Sequence, residues 1–136
     1  MDDMVKMLAD APEQQRMQMI TERLTMIAGQ PEPQRVESVK GLVMAISKLD
    51  DKKKASFVAD RTMSIAQLPA EQKSAILTAR VKIGSQIPEN VNNMDMKHTV
   101  MAVNQWPEEK RNMFMKGLKM AFETENVPMP NLEAMM

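Results

Sequence analysis

The sequence predicts an all-α protein of six or seven short antiparallel helices, arranged as an α-solenoid or as a compact helical bundle. Three observations carry that prediction. Proline returns on a nineteen-residue interval. Within each interval apolar residues recur at i, i+4 and i+7, which is one face of an α-helix. The composition favours helix: Met (17 residues), Ala, Lys, Glu and Gln are plentiful, Tyr is absent and Trp occurs once. β-Branched and aromatic residues never gather into alternating runs between turn residues, so no strand is expected.

Cut at this period, the chain gives six units without insertion or deletion: 12–30, 31–49, 50–68, 69–87, 88–106 and 107–125. Five begin with proline (Pro12, Pro31, Pro69, Pro88, Pro107) and the third begins with Asp50. The ninth position is Ile20, Val39, Val58, Leu77, Met96 and Met115. The thirteenth is Leu24, Val43, Val81 and Val100, interrupted by Thr62 and Lys119. The sixteenth is Ile27, Ile46, Ile65, Gly84, Val103 and Phe122. Proline suits the first turn of a helix, where its missing N–H had no partner to lose. An acid after it places negative charge at the positive end of the helix dipole. Each unit is therefore expected to form one helix of about 14–16 residues, roughly 21–24 Å long, and then to turn.

Taken in order, the segment before Pro12 is a partial unit, with Val5 and Leu8 at the thirteenth and sixteenth positions. Units two and six share Lys-Gly-Leu-x-Met-Ala, at 40–45 and 116–121. Unit five opens with Asn-Val-Asn-Asn and is the weakest helix start. The eleventh position reads Glu22, Asp60 and His98 in odd units but Gly41, Ala79 and Gly117 in even ones. That alternation points to a helical hairpin of 38 residues as the true repeat, with close backbone approach at the glycines. Such helices cannot bury their apolar faces alone, and stacking supplies the partner. Residues 1–125 should form one helical-repeat domain. Residues 126–136 should form an extended C-terminal tail. Its Val127, Met129, Leu132, Met135 and Met136 would cover the apolar edge left by Phe114, Leu118 and Phe122, in the same chain or in a second copy.

The Pro-led starts, clearest at Leu68-Pro69-Ala70-Glu71, resemble over two or three residues the helical repeats introduced by Leu-Pro-x-Glu. Such repeats build the cytoplasmic superhelical domain of magnesium transporters. The spacing here is longer, and no function follows from the resemblance.

Composition narrows the function classes. The net charge is zero, which argues against nonspecific attraction to nucleic acid or to an anionic membrane. There is no cysteine, so disulfides and thiolate chemistry are excluded. The amino terminus is acidic and amphipathic, unlike a secretory signal, and no apolar run reaches the ~18–20 residues of a membrane span. A cytoplasmic protein is expected.

Three groups of residues are candidates for chemistry, the third of them basic. Met94, Met96 and His98 supply the thioether and imidazole ligands that Cu(I) prefers. However, residues i and i+2 of a helix point well apart, which opposes chelation without unwinding. The row Glu22, Asp60 and His98 would lie on successive helices, too far apart for one metal or a nucleophile–base pair. The third group is Arg16, Arg35, Lys54, Lys73 and Arg111 at the fifth position, and Arg23, Arg61 and Arg80 at the twelfth. These lie at the margin of the packed face. There they pair with acids such as Glu13, Glu32, Asp51 and Glu108, or align as a basic stripe for an acidic partner. No Ser–His–acid set, phosphate loop or carboxylate pair is present, and no cofactor is expected. The expectation is a non-enzymatic helical-repeat module binding a protein or peptide. The alternatives are Cu(I) or small-ligand binding through Met and His98, and binding of nucleic acid or another acidic partner along the basic margin.

Overall fold

A computed structural model describes residues 1–132 and 134. Among the described residues there are seven helices: α1 (Asp2–Ala9), α2 (Glu13–Ala28), α3 (Glu32–Ile46), α4 (Asp51–Gln67), α5 (Ala70–Ile83), α6 (Glu89–Val103) and α7 (Glu108–Thr124). No strand occurs among the described residues. Among the described residues no helix is long and apolar enough to cross a membrane.

The proline of each unit sits one residue ahead of the first helical turn, at the N-cap, rather than inside that turn. Pro12, Pro31, Pro69, Pro88 and Pro107 all have φ near −55° and an extended ψ of 140–150°. Each proline carbonyl accepts the first hydrogen bond of the ladder, from Arg16, Arg35, Lys73, Asn92 and Arg111 at 2.9–3.0 Å. The ring thus fixes the bend into the helix, and its missing N–H lies outside the ladder. Where proline is replaced, Asp50 caps α4 by accepting from the Lys53 backbone N–H at 2.8 Å.

Each helix packs most extensively against the one two places along, so α1, α3, α5 and α7 form one layer and α2, α4 and α6 the other. Helices two apart run parallel. Arg16 pairs with Asp60, and five residues on Thr21 donates to Ser64 at 3.1 Å. Consecutive helices are consequently antiparallel, and the repeat is the 38-residue hairpin. The result is a compact two-layer bundle whose layers follow the parity of the repeat.

The core is the predicted face with two columns added. At the ninth position Ile20, Val39, Val58, Leu77 and Met96 are buried. At the sixteenth Ile27, Ile46, Ile65, Val103 and Phe122 are buried. Thr62, which breaks the thirteenth column, is fully buried and satisfies its hydroxyl by donating to the Val58 carbonyl at 2.7 Å. Lys119, the other break, is exposed. The eighth position (Phe57, Ile76, Phe114) and the twelfth (Leu42, Leu118) are also buried, because helices in two layers are covered on two sides. At the fourteenth position Met44 and Met63 are half-buried, whereas Met101 and Met120 stay exposed.

The glycines at the eleventh position do not mark close backbone approach. A Cβ at Gly117 would stand 3.5 Å from Leu77 Cδ1, and one at Gly41 would stand 3.8 Å from the Met1 side chain, both ordinary contacts. Glycine mid-helix costs about 0.5–1 kcal/mol against alanine. Gly117→Ala should therefore stabilise the protein by about that amount in chemical denaturation. A loss would mean that Leu77 cannot accommodate the added methyl.

α7 ends in a Schellman motif. Asn126 adopts φ 54°, the only positive φ among the described residues, as Asn tolerates better than most side chains. The N–H of Val127 donates to Phe122 O at 3.0 Å and that of Asn126 to Glu123 O at 3.1 Å. The chain then turns back, and Met129 and Leu132 pack against the core, Leu132 being only 8 % exposed. Val127 remains exposed, and Met135 and Met136 lie outside the described residues. Deleting residues 126–136 should lower the melting temperature measurably, since burying one Leu side chain is worth about 1.5–3 kcal/mol. An unchanged melting temperature would show that the tail caps nothing.

Candidate functional site

The basic residues of the fifth and twelfth positions have three different fates. Arg16 on α2 forms an ion pair with Asp60 on α4 and donates to the Ala11 carbonyl at 3.2 Å. Burial raises the Asp60 carboxyl above its usual range, outweighing the hydrogen bond and charge of Arg16. Arg35 donates to the Gln30 carbonyl at 2.9 Å, and Lys54 lies 3.9 Å from Asp51. Arg23 and Arg111 are half-buried at the helix margin.

Arg61 and Arg80 are buried, so they contribute nothing to a surface stripe. Both converge on Asp95, which is 5 % exposed. Arg61 Nη1 reaches Asp95 Oδ1 at 2.6 Å, and its Nη2 reaches Thr99 Oγ1 at 2.9 Å. Arg80 Nε reaches Asp95 Oδ2 at 2.8 Å, and its Nη2 reaches Asn92 Oδ1 at 2.7 Å. Burial is the largest single influence on Asp95 and would raise its pKa. The charges and hydrogen bonds of the two guanidiniums together outweigh it and hold the carboxyl below its ordinary range. This cluster ties α4, α5 and α6 together. Arg61 Nε and Arg80 Nη1 are buried without a hydrogen-bond partner.

The soft-metal candidates do not share a space. Met96 faces a cavity of about 30 Å³ among Leu24, Leu77 and Phe114. Met94 faces Val43, Ile46 and Val58. His98 faces an open surface groove of about 490 Å³ beside Ala55, Ala59 and Met101. Burial chiefly, then the Lys54 charge, lowers the pKa of His98 and favours neutral imidazole. Among the described residues no group of three or more His, Cys, Asp or Glu is arranged to hold a metal ion. Glu22, Asp60 and His98 stand on the three helices of one layer. Glu22 accepts from Gln18 of its own helix at 3.4 Å, Asp60 accepts from Arg16 on α2, and His98 Nδ1 is buried without a hydrogen-bond partner.

Lys73 belongs to a different setting, a groove of about 210 Å³. The start of α5 brings Lys73 to it, the start of α7 brings Lys110, Met113 and Phe114, and the end of α4 brings Met63. Trp106, from the turn between α6 and α7, completes the wall. Its ring meets Phe114 edge-on, with centroids 5.5 Å apart and planes at 85°. The groove thus has an aromatic and thioether floor with two ammonium groups on its rim. Among the described residues Lys48, Lys53, Lys54 and Lys82 form ion pairs with carboxylates, and Lys73 and Lys110, like Lys6, Lys40, Lys52, Lys97, Lys116 and Lys119, form none. Sequence reasoning singled out Lys73 but missed Trp106, Lys110 and Met113. Their only signal is the one Trp of the chain, standing at the last position of a unit beside Pro107.

No protein-family model matches the chain, and neither a curated protein nor a solved structure matches it.

Proposed function

We propose that the chain is a non-enzymatic helical-repeat interaction module that docks a segment of a protein or peptide partner. The observation that carries this reading is the Trp106 groove: an open, largely apolar depression with adaptable Met63 and Met113 in its wall. Exposed apolar concavities on a folded domain mark interaction surfaces. Methionine walls re-pack around different side chains. Its volume lies below the ~300–1,000 Å³ of small-molecule sites, so it suits one or two side chains of a longer segment.

Trp106 is the only Trp, which makes its fluorescence a reporter placed in the groove. A displayed random-peptide library selected against the protein should yield binders that shift Trp106 emission. Met113→Asp should abolish that shift while leaving the helical circular dichroism intact, because Met113 is exposed. Selection of no binder, or only of binders indifferent to Met113→Asp, would remove the docking function from this groove.

A further inference from the structure

We infer that the segment docked in the Trp106 groove is acidic, with an apolar anchor flanked by carboxylates. The inference rests on the docking function proposed above and adds the chemistry of the partner. Two features of the rim determine it. The first is charge. Lys73 and Lys110 both line the groove, and among the described residues neither has a carboxylate partner. Lys73 is half-buried, so its stem lies along the apolar wall while its ammonium stays available. The second is the helix ends. The starts of α5 and α7 meet here, and both carry partial positive charge. The acids of those turns, Glu71, Glu108 and Glu109, offset part of that charge, but they are exposed and do not line the groove, whose charged lining residues are Lys73 and Lys110.

The apolar floor between those cations fixes the rest of the pattern. A partner carrying only acids would desolvate Trp106, Met113 and Phe114 without covering them. One carrying only apolar residues would leave two ammonium groups at the edge of a drying interface, which is costly. A segment with Leu or Phe between Glu or Asp residues satisfies both. Nucleic acid fits less well: the chain has zero net charge, and phosphate-driven binding needs a longer run of cations than two lysines.

The test uses the full chain and three synthetic peptides without Trp: Leu-Phe between pairs of Glu, the same with Lys in place of Glu, and the first with Ser in place of Leu-Phe. The acidic peptide should quench or shift Trp106 emission and bind at least about tenfold more tightly than either counterpart. In the charge-reversed variant Lys73→Glu/Lys110→Glu the order of the Glu and Lys peptides should invert. That variant should fold normally, since it breaks no ion pair among the described residues and adds acids near helix starts. Equal binding of the Glu and Lys peptides, an unchanged order in the variant, or no binding of the acidic peptide would overturn the inference. Tighter binding of an oligouridylate than of the acidic peptide would overturn it as well. If library-selected peptides of other composition bind the groove and acidic ones do not, the inference falls while the docking function stands. If no peptide of any kind binds, both fall.

Discussion

An Asp95→Leu variant should lose about 3–5 kcal/mol of stability, whereas the triple variant Arg61→Met/Arg80→Met/Asp95→Leu should stay within about 1 kcal/mol of the parent or exceed it. The contrast follows from what each change leaves behind. Removing the carboxylate strands two guanidiniums that are both more than nine-tenths buried and repel each other in a poorly polar setting. Removing all three charges leaves an apolar layer at positions where other repeats are already apolar. The twelfth position holds Leu42 and Leu118, and the eighth holds Phe57, Ile76 and Phe114. Urea titration followed by circular dichroism measures both variants. A single-variant loss under about 1 kcal/mol would show that the guanidiniums rehydrate by local opening.

The same cluster gives the protein an acid-sensitive contribution. The folded pKa of Asp95 lies below its unfolded value of about 3.9. Its stabilisation is therefore fully present above that unfolded pKa and is lost as pH falls through the lower folded one. Asp2, Asp10 and Glu32, held low by hydrogen bonds from Lys48, Lys53 and Lys82, act in the same direction at the surface. Asp60 acts in the opposite direction, since its pKa is raised by burial and its protonation favours the folded state. Acid unfolding of the triple variant should be shallower than that of the parent, because the Asp95 contribution is gone.

The helices and most of the core were legible because a repeat states its pattern several times. Five prolines and one aspartate at the same position fix the starts, and three apolar columns fix one buried face. A second buried face was not legible from any single helix. It arises only when two layers form, and then the eighth and twelfth columns become core. Arg61, Arg80 and Asp95 stand in those columns, so a one-face wheel places the arginines at the margin and leaves Asp95 unremarked. Comparing each column down the repeat does expose them, as charges where sister units carry Leu, Ile or Phe. The Trp106 groove was less legible still. It joins the end of α4, the starts of α5 and α7, and a turn, which no single repeat unit contains. The alternation of Gly41, Ala79 and Gly117 indicated the hairpin repeat correctly but not close packing, since both glycines have room for a methyl group.

Ile46→Ala and Ile65→Ala should each destabilise by about 2–5 kcal/mol, as truncations of buried isoleucine do. Ile46 is 2 % and Ile65 5 % exposed, and they stand at the same position of consecutive units, one in each layer. Equal burial does not imply equal cost. Ile46 ends α3, where the backbone can settle toward the cavity through the following turn. Ile65 is followed by two further helical residues of α4, and both helices are flanked on two sides, α3 by α1 and α5 and α4 by α2 and α6. The stiffer site collapses less, so Ile65→Ala should fall nearer the upper end of the range. Met120→Ala on the exposed side of α7 is the control and should change stability by under about 0.5 kcal/mol. Denaturant midpoints with an unchanged slope would assign the losses to the native core. Losses under about 0.5 kcal/mol at both isoleucines would mean that the sixteenth column is not what holds the layers together. The two-layer packing would then have to rest on the eighth and twelfth columns instead.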